Sequence, residues 1–141
     1  MNGPEILHLI RHDLQRAVAR QGEPPTTRPM NASPWVAMSA MQKAIRRGRE
    51  DLALSAAATL LRDAPDKLWR RIGCFAYEDV GLASLEVVGL TTVSQEVKQA
   101  RAALGGEWAV ASCVVAELAG QRRAARLTID RLWRYMSAFQ R

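Results

Sequence analysis

An acidic pair near the middle of the chain is the first candidate for chemistry. Glu78 and Asp79 are adjacent and are followed by Gly81. Two carboxylates that flank a scissile bond can act as general acid and general base. Adjacent residues of a helix, however, point about 100° apart, so these side chains cannot flank one bond from the same face. We therefore predict that the pair is structural and that the chain is not an enzyme.

Two histidines and two cysteines are the remaining candidates for metal or thiol chemistry. His8 and His12 have the i,i+4 spacing of metal chelators, but no third ligand follows at a useful spacing. Cys74 and Cys113 lie far apart in apolar surroundings, without the spacing of a disulfide framework or a zinc site. The sequence also has no phosphate-binding glycine loop and no nucleophile elbow. We predict solvated histidines, reduced core cysteines, no metal and no cofactor.

The acidic pair belongs to a predicted helix that starts near Asp63 and runs to about Leu82. At helical pitch, its apolar residues share one broad arc formed by Leu68, Trp69, Ile72, Phe75, Ala76 and Val80. The opposite arc holds Lys67, Arg70, Arg71, Cys74, Tyr77 and Glu78. Asp79 projects into the apolar arc, where an isolated charge costs several kcal/mol. We predict that Asp79 caps a neighbouring helix or pairs with an arginine from elsewhere in the chain.

The composition favours helices packed on helices. The 141 residues suit one compact domain, with an apolar fraction of 48% and an aromatic fraction of 6%. Alanine, leucine and arginine dominate, and no stretch has the pattern of a strand. We predict an all-α fold, a compact bundle of about six to seven helices. Its parts are an amphipathic helix at 1–20, a proline-rich linker at 21–33 and a helical domain at 34–141.

The first predicted helix has one apolar face and is followed by the linker. That face is formed by Ile6, Leu7, Ile10, Leu14, Ala17 and Val18. The linker at 21–33 contains three prolines and a glycine. Because proline-rich segments act as semi-rigid spacers, we expect the linker to let this helix pack loosely or swing towards a partner.

Capping signals place the second and third helices. Ser33 followed by Pro34 marks the start of the second helix, and Gly48 supplies its C-terminal cap. The residues predicted to face the core are Met38, Met41 and Ile45, and those on the opposite side are Lys43, Arg46 and Arg47. Glu50 and Asp51 then open an alanine-rich third helix, which we predict to be the central packing helix.

Glycines divide the C-terminal part of the sequence. One or two short helices are predicted within 84–103, and Gly105 and Gly106 mark the next turn. A nearly uncharged, buried helix is predicted at 108–119, and Gly120 is expected to end it. The last predicted helix, at 121–139, has an apolar stripe formed by Ala125, Ile129, Leu132, Met136 and Phe139.

Arginines give the chain its clearest electrostatic feature. The chain has 20 basic and 14 acidic side chains, a net charge of +6, and six arginines stand against one aspartate from Gly120 to Arg141. Arginine pairs bidentately with phosphate, and a positive net charge favours association with polyanions. The candidate nucleic-acid-binding residues are Arg123, Arg126, Arg131, Arg134 and Arg141, joined by Arg46, Arg47 and Arg49. The alternative is a charged face that is only solvated.

One stretch of the chain, residues 35–83, resembles a known family. It contains Lys43-Ala-Ile-Arg46 and Asp51-Leu-Ala-Leu54, then Arg70-Arg71-Ile72 and Ala76-Tyr-Glu78-Asp79-Val-Gly81-Leu-Ala83. These blocks, the last above all, resemble the helical region that follows the ATPase core in the replication-associated recombination protein A family, relatives of the bacterial clamp loader. A weaker likeness extends to about residue 130.

The resemblance implies a collar-like helical module that holds subunits in a ring, in a setting of DNA replication, recombination or repair. It implies structural roles for Glu78, Asp79, Gly81, Arg70 and Arg71. The chain departs from the family at 47–49, where Arg-Gly-Arg replaces Gly-Ser-Asp, and it lacks the ATPase core. The implied partners are further copies of the chain or a clamp-loader-like ATPase of the AAA+ class. ATP hydrolysis is not implied.

Three functions remain open at this level. The first is a non-enzymatic oligomerisation or protein-interaction module, and the second is nucleic-acid binding through the arginines. The third is a small regulator or inhibitor of a related ATPase, which the sequence does not separate from the first. No apolar run of about 18 residues and no signal-peptide pattern occurs, so we predict no membrane partner and a cytoplasmic location.

Overall fold

The part of the chain that the structure describes contains six α-helices with defined bounds and one π-helical turn, and residues 89, 91, 92 and 94 are also helical. This computed structural model describes residues 3–80, 89, 91–92, 94 and 98–139, without the side chains of 79, 80, 126, 128, 129, 132, 133, 135, 136, 138 and 139. The helices are α1 (Gly3–Gln21), α2 (Pro34–Arg46), α3 (Glu50–Asp63), α4 (Pro65–Phe75), the π-helical turn (Ala76–Val80), α5 (Lys98–Ala103) and α6 (Glu107–Phe139). The predicted all-α bundle of about six to seven helices is confirmed.

The ends of α2 follow the capping signals in the sequence. Ser33 Oγ accepts a hydrogen bond from the Val36 N–H at 3.3 Å, and Pro34 is the first helical residue. Beyond Arg46 the chain turns through Gly48, whose φ of 67° lies in the left-handed region. The predicted start and end of α2 are therefore confirmed.

α3 lies at the centre of the bundle, where it contacts α2, α4 and α6. Its buried face includes three small, fully buried side chains, Ala53, Ala56 and Ala57, together with Leu54, Thr59 and Leu60. Because small side chains shorten the distance between helix axes, α3 can pack closely against several neighbours. The α2 residues predicted to face this core are all buried: Met38, Met41 and Ile45. The prediction of a central packing helix is confirmed.

The C-terminal part is one helix where the sequence analysis predicted two. α6 runs without a break from Glu107 to Phe139, so Gly120 does not end a helix. Gly105 and Gly106 do form the preceding turn, with φ of 103° and 102°. A glycine inside a helix costs only about 1 kcal/mol relative to alanine, and it stops the helix only when the chain takes a left-handed conformation there. Good helix formers follow Gly120, and the helix continues.

α4 is shorter than predicted and ends in a different geometry. The α-helix stops at Phe75, and Ala76–Val80 continue as a π-helical turn. The predicted apolar arc is confirmed for Leu68, Trp69, Ile72, Phe75 and Ala76, which are all buried. Two of the predicted structural positions, the Asp79 side chain and Gly81, lie outside the described residues.

The loop at 22–33 is a packed element, so the expectation of a semi-rigid spacer was wrong. Ser55 Oγ donates a hydrogen bond to the Arg28 carbonyl at 2.8 Å, and the Met30 N–H donates to Thr59 Oγ1 at 2.7 Å. Trp108 Nε1 donates to the Pro25 carbonyl at 2.9 Å. These bonds fasten the loop to α3 and α6.

The predicted apolar face of α1 is only partly buried. On α1, the buried residues are Leu14, Ala17 and Val18, whereas Ile6 and Leu7 of the predicted apolar face are exposed.

A largely buried arginine joins α5 to α4 and α6. The Arg101 guanidinium lies 4.3 Å from the centroid of the Trp69 ring, and its Nη2 is 3.1 Å from Glu107 Oε1. Arg101 Nη1 also donates a hydrogen bond to the Ser94 carbonyl at 3.2 Å. The side chain of Arg101 is only 11% exposed and that of Glu107 is 24% exposed. One side chain thus holds three segments of the bundle together.

Candidate nucleic-acid interface

The turn between α2 and α3 touches α6 at Gly48. A Cβ atom added to Gly48 would lie 2.7 Å from Arg123 Cβ and 3.0 Å from Arg123 Cα. The 2.7 Å distance is shorter than the contacts that Cβ atoms make in proteins and the 3.0 Å distance is tighter than most of them, and the φ of 67° adds a second reason for glycine at this position. The absence of a side chain therefore lets the turn lie directly against α6. This contact brings together two groups of arginines that are far apart in the sequence.

The first group belongs to the turn and consists of Arg46, Arg47 and Arg49, which are all exposed. Arg49 pairs with Asp51 through two hydrogen bonds, each of 3.2 Å, one from Nε and one from Nη2. The hydrogen bonds from Arg49 lower the pKa of the Asp51 carboxyl, with a further contribution from the Leu52 N–H. Asp51 therefore keeps its negative charge at neutral pH and offsets part of the positive charge of the turn.

The second group lies on α6 and starts with Arg123. Arg123 Nη2 is 3.6 Å from Glu50 Oε2, a partly exposed ion pair that links α6 to the first turn of α3. An open cleft of about 430 Å³ lies beside this contact and is lined by Gly48, Arg49, Glu50, Asp51, Leu54 and Arg123. Two carboxylates and two guanidinium groups thus meet in this cleft.

One arc of α6 continues the positive surface away from the turn. At about 100° per residue, the exposed side chains that fall within about 80° of one another are Arg123, Leu127, Arg131 and Arg134. Asp130, which is also exposed, borders this arc. Two predicted binding residues lie outside the description: the side chain of Arg126 and the whole of Arg141.

We define the arginine surface as Arg46, Arg47, Arg49, Arg123, Arg131 and Arg134. Among the described side chains, those of Glu50, Asp51 and Asp130 bring three negative charges beside its six positive ones, so this set of residues carries a net positive charge. Exposed ion pairs are weak, and a polyanion can compete for guanidinium groups held in this way. Arginine binds phosphate bidentately. The surface can therefore bind several phosphates of one polyanion.

The other residues singled out from the sequence lie elsewhere. Arg70 is exposed on α4, Arg71 is half-buried there, and Glu78 is exposed on the π-helical turn. Both cysteines are free, as predicted; Cys113 is a core residue, but Cys74 is only half-buried. Burial raises the pKa of the Cys113 thiol to about 11, with a smaller contribution from nearby Glu117. This thiol is protonated at neutral pH and is therefore a weak nucleophile.

Sequence reasoning missed the carboxylates of the interface. Glu50 and Asp51 were assigned only to the start of α3, where negative charge favours the helix. The signal that could have found their second role is their position directly after Arg49. The contact of Glu50 with Arg123, in contrast, depends on tertiary packing.

Comparisons with known proteins add no relative: the chain matches no protein-family model, no curated protein and no solved structure. Across the described helices, no segment is both long and apolar enough to cross a membrane. Within the same residues, no three histidine, cysteine or acidic side chains gather closely enough to hold a metal ion.

Proposed function

We propose that this protein is a helical module that binds nucleic acid through the arginine surface. The observation that carries the proposal is the contact between Gly48 and Arg123, because it joins the arginines of the α2–α3 turn to those of α6. Charged faces of single helices are often only solvated, but arginines from two elements held in one surface form a larger electrostatic footprint. The net charge of +6 favours the same class of partner.

Removing two arginines of α6 tests the proposal. The variant Arg131→Gln/Arg134→Gln should bind a fluorescent oligonucleotide about 10-fold more weakly and lower the slope of log K against log salt by about 2. Fluorescence anisotropy at several salt concentrations measures both quantities. The matched control is Lys67→Gln/Arg70→Gln, which removes the same charge from exposed positions of α4. Binding that ignores salt, or that falls equally in both variants, contradicts the proposal.

Removing the neighbouring carboxylates should change the affinity for the oligonucleotide in the opposite direction, which the same assay can measure. Glu50→Gln/Asp51→Asn removes the negative charges that pair with Arg123 and Arg49. Because these carboxylates compete with phosphate, the affinity should rise by about threefold to 10-fold. Far-UV circular dichroism controls for any change at the start of α3. A lower affinity in a folded variant would mean that the carboxylates position the arginines instead of competing for them.

A second candidate function is association of the chain with further copies of itself, as a collar-like module. Two large aromatic side chains favour it: Trp35 is 73% exposed and Tyr77 is 62% exposed. Both lie within residues 35–83, the stretch that resembles the clamp-loader relatives, and aromatic side chains are enriched at protein interfaces. The proposed setting is DNA replication, recombination or repair.

Light scattering after size-exclusion chromatography tests this second function. Association predicts a mass that is a multiple of 15.6 kDa at micromolar concentration. Trp35→Ser/Tyr77→Ser should shift the protein towards the monomer, because apolar area at the interface is lost. Leu9→Ser, at an exposed position of α1 outside the resembling stretch, is the control. If the protein is monomeric at all concentrations, self-association is ruled out, and the proposal of nucleic-acid binding is not affected.

A further inference from the structure

α6 has a buried half and an exposed half. Its 33 residues span about 50 Å. Residues 109–115 are buried without interruption, so the first half is fixed in the core. From Gln121 to Ser137, the described side chains are exposed, with half-buried Arg122 as the exception. The bundle therefore holds one end of a long helix and presents the arginines of its other end to solvent.

The exposed half of α6 has the dimensions of the DNA major groove. An α-helix with its side chains is about 10–12 Å wide, and the major groove of B-form DNA is about 12 Å wide. Arg131 and Arg134 lie about 12 and about 16 Å along the axis from Arg123. A row of this length follows about five base pairs at 3.4 Å each. The turn arginines beside Arg123 would then reach the phosphates at one edge of the groove.

Single-stranded nucleic acid is the alternative ligand for this surface. Proteins that bind single strands combine a positive groove with aromatic side chains on which the bases stack. In the described part of the arginine surface, the accompanying apolar residue is Leu127. The exposed aromatic residues among the described positions are Trp35 and Tyr77. Trp35 precedes Arg47 by most of the length of α2, about 18 Å, and the Tyr77 hydroxyl is 3.0 Å from Thr92 Oγ1.

We propose that the nucleic acid bound by the arginine surface is duplex DNA of the B form, with the exposed half of α6 in its major groove. This inference rests on the proposed function and names its substrate class. Double-stranded RNA is disfavoured because its major groove is too deep and narrow for a helix. The contacts are made mainly to phosphates, so binding depends on the form of the nucleic acid far more than on its base sequence.

Three nucleic acids of equal length separate this inference from the proposed function. Duplex DNA, single-stranded DNA and duplex RNA of about 20 residues per strand are titrated with the intact chain at fixed salt. Duplex DNA should bind at least about 10-fold more tightly than the other two. Equal binding of all three overturns the duplex inference and leaves nucleic-acid binding in place. No binding to any of them overturns both.

Groove-specific probes locate the helix on the duplex. A duplex whose major groove is filled by glucosylated cytosines should bind about 10-fold more weakly, whereas a small minor-groove ligand should not compete. Asp130→Asn removes the carboxylate that borders the arc and should raise the affinity for unmodified duplex DNA by about threefold. Competition by the minor-groove ligand, or indifference to the glucosylated duplex, overturns the placement of α6.

Discussion

Replacing Gly48 with alanine is expected to destabilise the fold by about 2–4 kcal/mol, because a left-handed φ and a close contact act together. The φ of 67° is unfavourable for alanine, and the new Cβ would lie 2.7 Å from Arg123 Cβ. The turn must then move away from α6, which separates the two groups of arginines. Urea unfolding followed by circular dichroism gives the stability. The oligonucleotide assay, run where the variant is folded, should show weaker binding.

Alanine substitutions at two other glycines separate the two effects expected at Gly48, the backbone strain of a positive φ and the close contact with Arg123. Gly22 has a φ of 68° but open space at its Cβ position, so Gly22→Ala should show only the free-energy cost of the backbone strain. Gly120 lies inside α6 with no neighbouring group near its Cβ position. Gly120→Ala should therefore be neutral or stabilise the protein by about 0.5–1 kcal/mol. If Gly48→Ala costs no more than Gly22→Ala and leaves binding unchanged, the contact with Arg123 does not organise the arginine surface.

Capping residues, whose effect is confined to a few neighbouring positions, predicted the ends of α2 correctly. Ser33, Pro34 and Gly48 set the ends of α2 through hydrogen bonds and backbone angles within a few residues, so their effect can be read from the sequence. Gly120 shows the limit of this reasoning. A glycine permits a helix end without requiring one, and here the following alanines and arginines favour continuation.

The sequence predicted the arginines of the candidate site but not how they come together. Each group of arginines could be identified from its own stretch of sequence, because arginine is mostly exposed on helices and in turns. Their meeting could not, because Gly48 and Arg123 are 75 positions apart and their contact is set by how α2, α3 and α6 pack. The carboxylates that accompany the arginines depend on the same packing. The collar-like role implied by residues 35–83 remains a proposal.

Arg101 illustrates a residue that periodicity alone cannot place. An arginine in a short helix is usually exposed, and a sequence does not show that an aromatic ring and a carboxylate from other segments surround it. In the structure it lies on Trp69 and pairs with Glu107 at the start of α6. Because this pair is close to buried, its energetics should differ from those of ion pairs on the surface.

Glu107→Leu is expected to destabilise the protein by about 2–3 kcal/mol, since it removes the carboxylate that lies 3.1 Å from Arg101 Nη2, beside a largely buried guanidinium. Replacing both partners, in Arg101→Met/Glu107→Leu, should recover at least half of that loss, because the largely buried guanidinium is then removed together with the carboxylate. The Ser94 carbonyl, which loses a donor in the double variant, keeps the recovery incomplete. Urea unfolding of the two single variants, the double variant and the wild type gives the coupling energy.

The exposed pair Arg16–Asp13 is the matched comparison for this cycle. Its 2.6 Å distance is shorter than the 3.1 Å of Arg101–Glu107, but its side chains are 67% and 43% exposed. Solvent screening should hold its coupling energy below about 1 kcal/mol. Equal coupling in the two pairs would show that burial does not strengthen the Arg101 contact. If the buried pair couples more strongly, Arg101 fixes the start of α6, and with it the direction in which the helix presents Arg123, Arg131 and Arg134.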